Sequence, residues 1–160
     1  MFHLASYNYW ANTRIIKSIL DAGEEKADVE ISSSFSSVRK TLFHIYDAEN
    51  VWLLRMKGLP YTWPPSQSFK GDLIEFCDML LNNSMDFKEY AEGLNEKDFA
   101  KEISYSNSKG VAFSTSIQDI IAHCMNHSTY HRGQLVTMLR ITGHTMFEPL
   151  DYIGYVREKN

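Results

Sequence analysis

Apolar residues recur every three or four positions over four stretches of the chain, and the segments between them carry the glycines, prolines and serines that break helices. The first stretch predicts a helix from Phe2 to Ala22, stopped at Gly23, a residue type favoured just past a helix end. Ser32, Ser33, Ser34, Ser36 and Ser37 then offer N-caps for a second helix, Val38 to Lys57, ending at Gly58. Val38, Leu42, Ile45, Glu49, Trp52 and Met56 form one face of it. Pro60, Pro64 and Pro65 make Leu59 to Gly71 a loop. A third helix, Asp72 to Ala91, has Leu73, Phe76, Leu80 and Phe87 on one side and closes at Gly93. Between Phe99 and Ser114 the period changes to two: Ile103, Tyr105, Val111 and Phe113 alternate around Asn107-Ser108-Lys109-Gly110, as in a short hairpin. Thr115 with Gln118 reads as a capping box for a fourth helix, Ser116 to Thr142, closed by Gly143. Leu150 to Ile153, after Pro149, reads as one short helical turn on the bundle.

Four amphipathic helices of this length predict an all-α fold, an antiparallel four-helix bundle with a short β-hairpin between helices three and four. The whole of residues 1–160 fits one domain, large enough to bury a core without staples. Composition supports a globular chain, 44% hydrophobic and 22% charged. The net charge of −4 comes from interspersed acids and bases, with no Lys/Arg block of the kind that marks a nucleic-acid footprint. Cys77 and Cys124 form no CxxC pair and read as reduced thiols. The N-terminal segment lacks the pattern of a signal peptide, and no apolar run approaches a membrane span. A cytoplasmic protein with no nucleic-acid or membrane partner is expected.

Candidate chemistry lies on helix four. Its apolar stripe holds Ile117, Ile120, Ile121, Cys124, Leu135, Met138 and Leu139, with His131 inside the stripe, His127 at its edge and His123 turned further out. Imidazoles at i and i+4 sit one turn apart on one face, close enough to share one metal ion. Hydrogen-bonded core histidines and a solvated ridge of 123, 127 and 131 account for the same spacing, so periodicity leaves the choice open. The zinc-hydrolase motif HExxH is absent, because Ser128 follows His127 where a glutamate base would stand. On helix two the only histidine, His44, lies beside the main stripe with Ala48 and Val51, and spacing suits an interface residue equally well.

Leu42-Phe43-His44-Ile45-(x)3-Glu49-(x)2-Trp52-Leu53, His127-(x)3-His131-Arg132-Gly133-Gln134 and Asn8-(x)-Trp10-Ala11-Asn12 together resemble the signatures of the DinB-like (DinB/YfiT-like) family, along nearly the whole chain from Tyr7 to Ile153. The resemblance implies a four-helix bundle, usually a homodimer, holding a divalent metal through His44, His127 and His131. It gives His123 no ligand role, so that residue is expected beside the site or on the surface. Three histidine ligands leave one position open, and their neutrality leaves the ion's charge uncompensated, which acidifies a bound water or thiol. Zinc or nickel leads the expected ions, with iron, copper or manganese also compatible.

Other residues near the motifs have readings of their own. Asp47 or Glu49 is placed to orient a ligand imidazole or to stand as a helix-surface acid. Gly133 in mid-helix predicts close approach of another backbone; Arg132 suits a partner acid or an anionic ligand, with a plain surface salt bridge the leading expectation. Trp10, Trp52 and Tyr130 suit either a pocket or the core. Some members of the family transfer low-molecular-weight thiols (bacillithiol, mycothiol, glutathione) onto electrophiles. By resemblance this chain is a metal-dependent thiol S-transferase, with a small-molecule thiol or electrophile as partner, or a non-catalytic metal-binding or damage-inducible stress protein.

Overall fold

The computed structural model describes residues 2–107 and 109–159. Four long helices carry the fold: α1 (Phe2–Ala22), α3 (Val38–Lys57), α4 (Leu73–Glu92) and α6 (Ile117–Ile141). Short helices α2 (Glu24–Ala27), α5 (Glu96–Phe99) and α7 (Tyr152–Glu158) punctuate the connections, and β1 (Glu102–Ser106) pairs antiparallel with β2 (Ala112–Ser116). The bounds of α1 and α3 fall where the breakers place them. Gly23 and Gly58 both take positive φ, 93° and 66°, which only glycine adopts cheaply. Ser37 caps α3 by accepting from the Lys40 N–H. Asp72 and Glu75 form a reciprocal capping box at the start of α4. The expected Thr115–Gln118 box is displaced by one residue: Ser116 is the cap and accepts from the Asp119 N–H, because the strand continues through Thr115. The hairpin pairs Tyr105 with Phe113 and Ile103 with Thr115, and Gly110 turns it at φ +76°. Ser108, part of the expected turn, lies outside the described residues. The tail forms two turns of helix, longer than the single turn expected.

Contacts between named residues set the directions of the helices. α1 runs antiparallel to α4, with Ser6 bonded to Glu92 and Asn12 to Ser84. α3 runs antiparallel to α6, since Thr41 meets Met138 while Leu53 and Met56 pack with Ile117 and Ile120. α3 and α4 share a direction, as Phe43 stacks on Phe76 and Asn50 bonds Asn83. The loop 58–72 therefore returns along the length of α3, well within reach of an extended chain at roughly 3.3 Å per residue. It is pinned on the way by Asp47, whose carboxylate accepts from the Ser66 N–H and Oγ at 2.7 and 2.8 Å.

The core has two apolar layers. Ile15, Ile19, Leu42, Ile45, Phe76, Leu80, Leu135 and Leu139 fill one end, and Leu53, Met56, Phe87, Ile120, Ile121 and Cys124 the other. A polar layer separates them. Glu49, fully buried, accepts from Asn8 and Asn12 of α1, Ser84 of α4 and Ser128 of α6 at 2.6–3.1 Å. Arg132, only 2% exposed, donates to the side-chain oxygens of the same two asparagines and to Thr129. The expected surface salt bridge of Arg132 is thus replaced by a buried, amide-bridged charge pair spanning the bundle. A charge of each sign, held among hydrogen-bond partners, is how such groups survive in a core.

Candidate metal centre

His44 projects from α3 at the seam where that helix packs on α6, and His127 and His131 project towards it from successive turns of α6. The three offer one ligand nitrogen each, all within 4.8 Å of one another, and together they can hold a metal ion. His44 Nε2 and His127 Nε2 are 2.9 Å apart, and the ring centroids stand 4.4–4.7 Å from each other. Two imidazoles on one tetrahedral ion place their nitrogens roughly 3.4 Å apart, so the observed separations bracket what an ion requires. Of the three, His131 is buried and the others half-buried, as their places on the apolar stripe imply.

Several features fit the group to a cation. Burial, reinforced by the neighbouring imidazoles, pulls His44 down to about 4 and His127 to about 3, and burial lowers His131 as well. All three rings are therefore neutral at pH 7, with lone pairs available. His131 Nδ1 lies 2.7 Å from Gln134 Oε1, while the Gln134 amide nitrogen donates to the Tyr130 hydroxyl. With the amide oxygen facing the ring, the proton sits on Nδ1 and Nε2 is left as the ligand atom. His127 Nδ1 is buried with no hydrogen-bond partner, while the ring's other nitrogen, Nε2, faces His44. Phe35 stacks on His44 at 4.2 Å and closes one side.

The site opens to a cavity of about 570 Å³ lined by His44, His127 and His123, the α3 residues Ala48, Val51, Trp52 and Arg55, and Tyr61, Trp63 and Tyr105 from the loop and hairpin. His123 lies outside the three-residue group, its ring 5.8 Å from that of His127 and 5.6 Å from Trp52. Trp52 is a cavity wall, whereas Trp10 packs with Tyr7 and Tyr155 near the tail and Tyr130 is 63% exposed beside His131. Neither acid expected beside the ligands bonds a ligand ring: Glu49 turns into the polar layer and Asp47 out to Ser66. Gly133 faces open space, so that among the described residues no other element's backbone lies within 4 Å of a Cβ built there. The thiols are spectators. Cys77 and Cys124 are buried and free, and burial pushes Cys77 up to about 12 and Cys124 upward too.

The sequence pattern that defines the DinB family matches residues 1–159. The chain belongs to the DinB family. Over 163 aligned positions it is 28% identical to Protein DinB of Bacillus subtilis (strain 168), covering 97% of this chain and 92% of that protein. Its fold is similar to that of YjoA, a DinB-like protein from Bacillus subtilis with a known crystal structure. The TM-score is 0.70 at 14% identity, over 92% of this chain and 97% of that one. Membership of the DinB family accounts for the architecture. Gln134, the residue that orients His131, was visible in the sequence only as the last letter of His131-Arg132-Gly133-Gln134, since nothing in the pattern ties an amide to a ring three residues earlier. No helix among the described residues is long and apolar enough to cross a membrane.

Proposed function

We propose that this protein binds a divalent metal through His44, His127 and His131 and uses it to transfer a small-molecule thiol onto an electrophile. One observation carries the reading: three neutral imidazoles, with no acid among them, meet at one point, and two of them, His44 and His127, line an open cavity. A structural zinc site closes four protein ligands; three leave a position for a ligand from the cavity. The ion supplies the acidification of a thiol or water in that position. The chain does the rest. Gln134 holds the tautomer of His131, Phe35 shields His44, and Trp52, Trp63 and Tyr105 restrict water around whatever enters. In the reaction the thiol sulfur forms a bond to an electrophilic carbon as the carbon–leaving-group bond breaks, and the thiol proton passes to solvent through the cavity mouth.

The test loads the purified protein with zinc or nickel and follows conjugation of a low-molecular-weight thiol to monochlorobimane, with chloride leaving. Acceleration over the metal-free protein is expected, together with loss of both bound metal and rate in His127→Ala and His131→Ala. Metal content that survives those substitutions would overturn the site. A second reading draws on the ligands' origin from two packed helices: an ion there ties α3 to α6 and serves stability alone. In that case chelation lowers the melting temperature, and no thiol alters the spectrum of the Co²⁺-substituted protein.

A further inference from the structure

The end of the cavity away from His44 holds a cation with unfilled bonding capacity. His44, Ala48, Val51 and Arg55 occupy positions i, i+4, i+7 and i+11 of α3, one continuous face, and all four line the cavity. At 1.5 Å per residue, the Arg55 Cα stands about 16 Å along the helix from that of His44. The Arg55 guanidinium lies 4.6, 4.7 and 4.9 Å from the ring centres of Trp52, Tyr105 and Tyr61. Its Nε and Nη2 donate to the Tyr61 hydroxyl at 3.1 and 2.8 Å, and Nη2 also donates to the Ser106 carbonyl at 3.3 Å. Among the described residues Nη1 has no acceptor, and Arg55 has no carboxylate partner. Arg14 and Arg39 do have such partners, Glu148 with Glu158 and Glu24 with Asp28; Arg132, also without a carboxylate on it, is buried among amides, whereas Arg55 opens on the cavity. The chain has 20 acids against 16 Lys and Arg, yet none lines this cavity. A guanidinium clamped by three rings has lost much of its water while keeping a free edge, and its fork geometry suits a carboxylate.

The geometry points to Arg55 as the anion-binding end of the cavity, so that its ligand is an elongated molecule with a metal-seeking thiol at one end and a carboxylate at the other. This rests on the metal-centred reading above for the thiol end alone. Ala48, Val51 and Trp52 give the middle of the ligand an apolar bed, and Trp63, 56% exposed, lies on the wall where a bound chain would cover it. A purely structural Arg55, which only staples the loop and the hairpin to α3, would affect charged and uncharged ligands alike.

The experiment titrates Co²⁺-loaded protein with 8-mercaptooctanoate and with 8-mercaptooctanol, reading both the Co²⁺ spectrum and tryptophan fluorescence. The acid should bind about tenfold or more tightly than the alcohol. Arg55→Met, which keeps a flexible apolar stem, should abolish that preference while leaving the alcohol's affinity within about twofold, and Arg55→Lys should retain part of it. Equal binding of acid and alcohol by the parent protein, or an equal loss of both in Arg55→Met with Arg55→Lys behaving the same, would overturn the assignment. Failure of the metal reading looks different: neither thiol shifts the Co²⁺ spectrum, while fluorescence still separates acid from alcohol.

Discussion

His131 is oriented from behind by a chain of two hydrogen bonds, Tyr130 hydroxyl to Gln134 amide to Nδ1. Removing the amide frees the ring to rotate and lets its proton move to Nε2. Gln134→Leu should therefore weaken metal binding by roughly 10–100-fold with the fold intact, measured by competition against a chromogenic chelator. A second consequence follows from the depressed imidazoles. In the unfolded chain His44 and His127 have their ordinary value of 6.5, whereas in the folded protein burial and mutual proximity hold them at about 4 and about 3. Below pH 6.5 the unfolded state binds protons that the folded state refuses, so the stability these rings permit above 6.5 is lost progressively as the pH falls towards 4. Urea denaturation of metal-free protein between pH 7.5 and 4.5 should show this slope. His127→Asn should flatten it, and an unchanged slope would sink the account.

At the scale of single elements, punctuation made most of the fold legible. Gly23, Gly58, Gly93 and the serine run stop or start helices through local chemistry, so α1 and α3 could be bounded from the sequence alone. Longer-range features were not legible. The direction of α4 relative to α3 depends on a loop that runs back past Asp47, and no residue within that loop announces its path. Arg132 and Gly133 show the same limit. Their neighbours are decided by how α6 rotates against α1, which a helical wheel of α6 alone does not contain. Arg132 fell inward against Asn8 and Asn12, and Gly133 outward into open space. Gly133→Ala should accordingly stabilise the protein by about 0.5–1 kcal/mol, the usual difference between these residues within a helix, read as a rise in denaturation midpoint. A loss of stability would mean that another surface covers this face.

For the molecule as a whole, the decisive feature is the layer formed by Glu49, Arg132, Asn8, Asn12, Ser84 and Ser128. Glu49 sits where four donors converge, so Glu49→Gln presents an amide N–H to groups that are themselves donors. It also leaves Arg132 with no countercharge. Arg132→Met strands Glu49 in the same way. Each single change should cost about 3–5 kcal/mol, and the double change clearly less than the sum, in a double-mutant cycle followed by urea unfolding.

That layer also bears on the site beside it. Ser128 adjoins His127, and Arg132 adjoins His131, so the residues that fasten α6 to the other helices alternate with those of the three-histidine group. Sliding α6 by one turn, 5.4 Å, would push an ionic pair into hydrocarbon. The helix is in effect indexed against α1 and α3 before any ion arrives. An ion entering such a seat has little chain to gather, and its affinity reflects bond formation with the rings far more than the ordering of the helices that carry them.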